Sequence, residues 1–221
     1  IGYASINKYG EELCGDHVDI IEQDDNSTVM VLADGLGSGV KANILSTLTA
    51  KIISTMMAQS MCIEDCVATI ASTLPVCSVR GIAYSTFTII RIARGEEAEV
   101  IQYDNPQVIL FRGGKLLEFP TSTIKIDEKI IYKAKFPVEE NDIFVAMSDG
   151  AIHAGVGRNL NFGWERKNII QFLEPITEAG YTAKTLSTIL LNECNRLYGN
   201  MPGDDTTICT LKIRKRAPMN L

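Results

Sequence analysis

The stretch Val29-Met30-Val31-Leu32-Ala33-Asp34-Gly35-Leu36-Gly37-Ser38-Gly39 joins an apolar run to a glycine-rich segment, with a carboxylate at the junction. The run from Thr28 to Ala33 predicts a buried strand, and from Val40 the apolar residues follow a helical spacing. A carboxylate beside a packed strand costs free energy unless its charge is compensated. Asp34 is therefore the first candidate functional residue.

Two further aspartates stand in similar places. Asp149 follows the apolar run 143–147 in Ser148-Asp149-Gly150, and Asp204 comes just before the predicted last strand. Each of these signals is weak alone, because Asp-Gly is also a common turn dipeptide. Together they indicate carboxylates that converge on a hard cation such as Mg2+ or Mn2+. Without a cation, adjacent buried carboxylates would repel one another and take up protons.

The glycine-rich loop does not fit the known nucleotide-binding patterns. In the dinucleotide fingerprint G-x-G-x-x-G the third glycine would fall at Val40, and no G-K-[ST] sequence follows as a phosphate-binding P-loop requires. Asp34 would also repel a phosphate unless a cation lay between them. The alternative is a tight turn whose glycines merely permit positive φ angles.

Composition excludes several classes of function. The 221 residues carry a formal net charge of −6, which offers no electrostatic footprint for nucleic acid. No apolar run reaches the roughly 18 to 20 residues of a membrane span, so we expect no membrane contact from this segment. The six cysteines form no C-x-x-C pair, and a reducing, cytoplasmic location is the expectation.

The predicted elements begin with strands and continue with two helices, a long run of strands, two helices and a last strand. The predicted strands cover residues 2–8, 18–21, 28–33, 83–92, 98–103, 107–111, 115–119, 129–134, 142–147 and 206–214. Helices are predicted from residue 40 and over 63–74, 165–179 and 183–198, with Pro75 ending the second. Consecutive hairpins, such as the one expected at Arg112-Gly113-Gly114, favour antiparallel pairing. We find no repeat or linker and expect one domain over residues 1–221.

The first predicted helix has an apolar row that we expect to face the core. Its members recur at helical spacing and are widened by two neighbours. They are Val40, Ile44, Leu48, Ile52 and Met56, with Leu45 and Ile53 beside them.

Four short motifs in order resemble those of the metal-dependent protein serine/threonine phosphatases, the PPM family, and most of all its bacterial SpoIIE-like branch. They are Gly15-Asp16, the segment Ala33 to Gly39, Ser148-Asp149-Gly150 and Asp204-Asp205-Thr206-Thr207. Lys8-Tyr9-Gly10 and Phe162-Gly163 also fit that branch. The resemblance runs from about residue 2 to residue 213, nearly the whole chain.

The resemblance implies an α+β fold, a four-layer α-β-β-α sandwich with two antiparallel sheets and a metal centre at one edge. Two Mn2+ or Mg2+ ions would be its cofactors. By the resemblance, Asp34 would bridge the two ions, the carbonyl of Gly35 would bind one, and Asp149 and Asp204 would bind the other. Asp16 would act through metal-bound water. Asp205 is the poorer candidate of its pair, because the family's ligand matches the first position.

The resemblance also implies the reaction. A hydroxide bridging the two ions would attack the phosphorus of a phosphoserine or phosphothreonine, so Asp34, Asp149 and Asp204 would be catalytic through metal-bound water. Backbone N–H groups of Gly37, Ser38 and Gly39 are candidates for binding the phosphate, with Lys8 as a further candidate. The expected partner is a phosphorylated regulatory protein, in this branch often an anti-sigma-factor antagonist. A homodimer is a further expectation.

Some residues depart from the family's pattern. Leu36 stands where eukaryotic relatives carry a histidine, and their phosphate-binding arginine has no counterpart in this chain. His153 stands where the branch often has glutamate, and we interpret it as a surface histidine rather than a metal ligand; His17 is treated in the same way. Two alternatives therefore stay open. One is a catalytically idle metal-binding regulatory module of the same fold, and the other is a hydrolase of small phosphate esters.

Overall fold

The computed structural model describes residues 1–73, 85–126 and 129–214. In chain order the strands are β1 Gly2–Ile6, β2 Asp16–Glu22, β3 Thr28–Gly35, β4 Ser85–Ala93, β5 Glu97–Tyr103, β6 Ile109–Arg112, β7 Lys115–Leu116, β8 Ser122–Ile126, β9 Lys129–Pro137, β10 Ile143–Met147 and β11 Thr206–Lys212. The helices are α1 Gly39–Ala58, α2 Ile63–Thr73, α3 Asp149–Ile152, α4 Arg166–Thr177 and α5 Ala183–Leu197. The predicted helix end at Leu74 and Pro75 and the predicted strand start at Ala83 lie outside the described residues.

The strands form two antiparallel sheets. One has five strands in the order β1-β11-β10-β6-β7, and the other has six in the order β2-β3-β4-β5-β9-β8. In the six-stranded sheet the register places Asp16 of β2 directly opposite Asp34 of β3. The hairpin between β6 and β7 turns at Gly113 and Gly114, both with positive φ, as predicted.

Alternation along β3 explains the layers. Val29, Val31 and Ala33 point to one face and join a buried cluster with residues of α1 and α2. Met30 and Leu32 point to the other face and pack against the five-stranded sheet. On the far face of that sheet, a third cluster holds residues of α3, α4 and α5. The predicted four-layer α-β-β-α sandwich with two antiparallel sheets is confirmed.

The predicted core face of α1 is wrong for the first half of the helix, whereas Ile53 is buried and Ile52 and Met56 pack against the core as predicted. Val40, Ile44 and Leu48 are 62%, 59% and 46% exposed, respectively. The buried face carries mostly small or polar residues instead, namely Gly39, Ala42, Ser46, Thr49, Ala50, Ile53, Ser54 and Met57. The helix lies so close to β3 that a Cβ placed on Gly35 would be 2.0 Å from the carbonyl oxygen of Ala42. Only small side chains permit such an approach. In this first half of α1 the spacing of apolar residues therefore predicts the wrong buried face.

Two elements were not predicted from the sequence. β8 is an edge strand with only two apolar residues, Ile124 and Ile126, so its apolar signal is weak, and α3 is a single helical turn. Among the helices in the described ranges, none combines the length and apolar character needed to cross a bilayer.

Candidate metal centre

Carboxylates from both sheets meet at one end of the sandwich. Asp16 and Asp34 lie in β2 and β3 of the six-stranded sheet. Asp149 is the first residue of α3, directly after β10, and Asp204 lies just before β11 of the five-stranded sheet. The charges of Asp16, Asp149 and Asp204 all act on Asp34. The structure therefore brings together the aspartates that the sequence singled out.

The pKa values of the Asp16, Asp34 and Asp204 carboxyls are shifted upwards. Burial is the largest cause for Asp34, and the charges of Asp16 and Asp149 raise its pKa further. Burial likewise raises the pKa of Asp16, against hydrogen bonds from Thr207 and Ser148 that lower it. Burial and the charge of Asp149 raise the pKa of Asp204 to about 6. The protein alone does not compensate these negative charges, which is what a cation site requires.

Asp16 gives the most direct test of whether the centre fits a cation. Its Oδ2 accepts hydrogen bonds from Ser148 Oγ at 2.8 Å and from Thr207 Oγ1 at 2.7 Å, which tie it to the other sheet. Its Oδ1 is buried, and no group in the described part of the chain donates to it. A buried carboxylate oxygen without a donor is costly unless water or a cation satisfies it. The donor set thus fits hard divalent cations and their bound water.

His153 joins this centre from the end of α3. One ring nitrogen of His153 and one carboxylate oxygen each from Asp149 and Asp204 lie within 4.8 Å of one another. The ring is exposed, as the sequence interpretation expected, but that interpretation overlooked its closeness to the acidic groups. The spacing of four residues from Asp149 was the available signal, because residues i and i+4 share one face of a helical turn.

Asp205 has a different task from Asp204. Its Oδ1 accepts from the backbone N–H of Lys8 at 2.9 Å, and its Oδ2 accepts from that of Gly15 at 3.0 Å. These two hydrogen bonds of the buried Asp205 side chain hold the N-terminal segment next to the centre. Both oxygens are already engaged, which agrees with its lower rank as a ligand.

The glycines after Asp34 and Asp149 are required by close packing rather than by turns. Gly35 is the last residue of β3, and a Cβ on Gly150 would lie 2.2 Å from the carbonyl oxygen of Asp205. Neither has a positive φ, whereas Gly37 and Gly39 do, with φ of 94° and 69°. The turn alternative therefore applies to Gly37 and Gly39 only. The metal role of the Gly35 carbonyl stays a prediction.

The start of α1 holds the predicted phosphate-binding residues, and a carboxylate of the chain itself lies there. Ser38 Oγ donates to Glu11 Oε1 at 3.1 Å, and a Cβ on Gly39 would lie 2.7 Å from Glu11 Oε2. Lys8 takes part through its backbone N–H, which binds Asp205. Substrate binding by Lys8, Gly37, Ser38 and Gly39 therefore stays a prediction. Glu11 is a neighbour that could not be expected from the sequence.

His17 lies away from this arrangement of ligands. Its Nε2 is 3.1 Å from Asp19 Oδ1, and its Nδ1 is 3.4 Å from Thr47 Oγ1 of α1. The two histidines of the chain are thus in different surroundings: His17 pairs with Asp19, and His153 lies beside Asp149 and Asp204.

Comparison with known proteins agrees with this geometry. The family model described as Stage II sporulation protein E (SpoIIE) matches residues 24–214. The chain belongs to the SpoIIE family. Among curated proteins, a sequence comparison finds no match to this SpoIIE-family protein.

Solved structures show the same fold. The PP2C phosphatase domain of SpoIIE from Bacillus subtilis, with a fragment of its regulatory domain, superposes with a TM-score of 0.81 at 19% identity; the alignment covers 98% of this chain and 63% of that one. RsbX in complex with magnesium gives a TM-score of 0.67 at 19% identity, covering 96% and 94%. A serine/threonine phosphatase of S. agalactiae gives 0.67 at 15%, covering 96% and 98%. The fold is therefore that of the PP2C phosphatases, and the predicted family and branch are confirmed.

The raised pKa values predict how the cation-free protein responds to pH. A carboxyl whose pKa is higher in the fold stabilises the fold most below its unfolded value near 4, and this contribution is lost as pH rises through the folded pKa. For Asp204 that window ends near pH 6. In EDTA, the melting temperature should fall by about 4 °C or more between pH 5 and pH 8. Saturating Mn2+ should remove most of this fall, because the cation replaces the protons.

Thermal unfolding followed by circular dichroism measures this effect. The variant Asp34→Asn should show a shallower fall in EDTA, because one of the repelling carboxyls is gone. A melting temperature that rises over this range in the cation-free wild type would contradict the prediction.

Proposed function

We propose that this protein is a divalent-cation-dependent phosphatase that hydrolyses phosphoserine or phosphothreonine on a protein. The observation that carries the proposal is the meeting of Asp16 and Asp34 from one sheet with Asp149 and Asp204 from the other. Membership of the SpoIIE family and the PP2C fold support the same reaction.

The proposed cofactors are two Mn2+ or Mg2+ ions. Asp34, Asp149, Asp204 and the Gly35 carbonyl would hold them, with Asp16 acting through water. Cations bound there would lower the pKa of a bound water and neutralise charge on the phosphoryl oxygens. The Ser148 hydroxyl is not available as a nucleophile, because it donates to Asp16 and accepts from the backbone N–H of Thr207. We therefore propose direct attack of water on phosphorus, with release of the serine or threonine hydroxyl.

A protein substrate is favoured by the open surface beside the centre. A groove of about 830 Å³ adjoins His153 and is lined by Met147, Ile152 and Phe162 among others. Phe162 is 84% exposed, so it offers an apolar contact to an incoming chain. We propose a phosphorylated regulatory protein as partner, of the anti-sigma-factor-antagonist kind, in the cytoplasm. A homodimer is part of the same proposal, and nucleic acid and membrane are not proposed as partners.

Cation-dependent hydrolysis tests the proposal. Protein stripped with EDTA is assayed on a phosphoserine peptide, a phosphotyrosine peptide of the same sequence and p-nitrophenyl phosphate, each with and without Mn2+. We expect Mn2+-dependent release of phosphate from the phosphoserine peptide, abolished again by EDTA. Turnover that persists in EDTA would contradict the metal mechanism. Hydrolysis of small esters without any of the phosphopeptides would favour a metabolite phosphatase instead.

The second candidate is the catalytically idle regulatory module. The specific observation in its favour is the Glu11 carboxylate at the start of α1, where a phosphate would otherwise meet backbone N–H groups. Calorimetric titration with Mn2+ separates the two candidates when it is combined with the assay. Tight Mn2+ binding without turnover of any phosphoprotein identifies the idle module.

A further inference from the structure

His153 is held at one edge of the acidic centre by its backbone. It caps the C-terminal end of α3, where its N–H donates to the Asp149 carbonyl at 3.1 Å, and its own carbonyl accepts from Val156 N–H at 3.1 Å. The preceding residue is fixed as well, because the Ile152 carbonyl accepts from Trp164 N–H at 2.9 Å. The position of the ring is therefore limited to a few rotamers next to Asp149.

The imidazole ring of His153 is available to bind a ligand. Within the described ranges, neither ring nitrogen of His153 makes a hydrogen bond, although both nitrogens of His17 are engaged. The ring is exposed and can rotate without disturbing the core. Its nearest polar neighbours in the centre are the carboxylates of Asp149 and Asp204.

The spacing of these donors suits a single ion. All three ligand atoms lie within 4.8 Å of one another. Ligand atoms about 2.0–2.2 Å from one cation are about 3–4.4 Å apart, depending on the angle between them. Small side-chain rotations would thus complete the set. Three such donors fill only part of the coordination sphere of a cation, so positions are left for water or substrate.

A second observation points to a ligand at this end of the sandwich. Asp16 is buried with only 6% of its surface exposed, and its Oδ1 lacks a donor within the described residues. Asp149 links the two places, because its charge acts on Asp34, which lies opposite Asp16, and it also belongs to the set with His153. The nitrogen donor is therefore part of the same centre and does not form a separate surface cluster.

We propose that His153 is a nitrogen ligand of one cation in this centre, together with Asp149 and Asp204, and that it selects first-row transition-metal ions such as Mn2+ over Mg2+. This inference rests on the proposed function, which supplies the metal centre. Mg2+ binds oxygen donors almost exclusively, whereas transition-metal ions accept imidazole readily. A single imidazole in a carboxylate site therefore shifts the preference between ions without preventing binding.

Pulsed electron paramagnetic resonance of bound Mn2+ tests the ligand directly. Coupling to a coordinated imidazole 14N should be present in the EDTA-stripped, Mn2+-reloaded wild type and absent in His153→Gln. The matched control is His17→Gln, which removes the other histidine and should keep the coupling. Melting temperature checks that each variant is folded, and an exposed side chain at position 153 predicts little change.

Competition between Mn2+ and Mg2+ tests the selectivity. The ratio of the Mg2+ to the Mn2+ dissociation constant should fall about tenfold or more in His153→Gln, the size expected for loss of a specific donor at a metal site. His153→Glu, which offers an oxygen donor, should bind Mg2+ more tightly than His153→Gln and show no 14N coupling.

The outcomes separate this inference from the proposed function. Wild type that binds Mn2+ without 14N coupling, or a coupling that survives in His153→Gln, would overturn the role of His153 and leave the phosphatase proposal standing. Wild type that binds no Mn2+ would overturn both.

Discussion

Replacing Asp34 with asparagine is expected to lower Mn2+-dependent hydrolysis of a phosphoserine peptide by at least about 10²–10³-fold, the loss typical when one electrostatic contribution to a transition state is removed. The charges of Asp16, Asp149 and Asp204 all act on the Asp34 carboxyl, and burial and these charges raise its pKa. An amide keeps the shape of the side chain and removes the negative charge that a cation needs.

The same substitution should not unfold the protein. In the absence of cations it removes repulsion among buried carboxyls, so the melting temperature in EDTA at pH 8 should rise. Calorimetry should show that Mn2+ binding is weakened or lost. The matched control is Asp24→Asn, which changes an exposed carboxylate in the turn between β2 and β3 and should leave both properties unchanged. Wild-type turnover in Asp34→Asn would exclude the proposed metal centre.

Replacing Asp205 with alanine is expected to have the largest effect on stability. Its two carboxylate oxygens each accept one backbone N–H, from Lys8 and from Gly15, and the side chain is 2% exposed. Removal leaves two donors in a buried place without their charged acceptor. The free energy of unfolding should fall by about 3–5 kcal/mol. For a chain of this size the melting temperature should fall by roughly 6–20 °C.

The neighbouring aspartate provides the control. Asp204→Ala should lose Mn2+ binding and turnover while the melting temperature in EDTA changes little or rises, because the pKa of Asp204 is raised by burial and by Asp149 rather than lowered by partners that stabilise its charge. Chemical denaturation and calorimetry on both variants measure the contrast. Similar stability of the two variants in EDTA would contradict the division of tasks between the adjacent carboxylates.

The aspartates could be found from the sequence because each follows or precedes an apolar strand, and strand ends are where a layered fold gathers functional groups. The four-layer order, in contrast, came only from the family resemblance, because the continuous apolar run of β3 does not distinguish its two faces. Antiparallel pairing followed from the short connections. The strand-end aspartates and the short connections are signals from residues close together in the sequence, so they can be recognised without knowledge of the tertiary structure.

The features that the sequence did not show depend on distance in space. The buried face of α1 is decided by how closely the helix approaches Gly35, which no hydrophobic pattern records. Glu11 reaches Ser38 across 27 residues, and Asp205 reaches Lys8 across 197. The spacing of four residues between Asp149 and His153 indicates a shared face only where a helix is predicted, and the single turn of α3 is too short for that. Such contacts depend on the path of the folded backbone, so they cannot be recognised from the types of the individual residues.

The division of the carboxylates between two sheets has a mechanical consequence. A cation that contacts both groups would act as a removable clasp, and its binding free energy would add to the cohesion of the two layers. Thermodynamic linkage is reciprocal, so any interaction that favours association of the two layers would raise the affinity for the cation by the same factor by which the cation favours that association. Occupancy of the cation site and packing of the two sheets would then report on the same equilibrium.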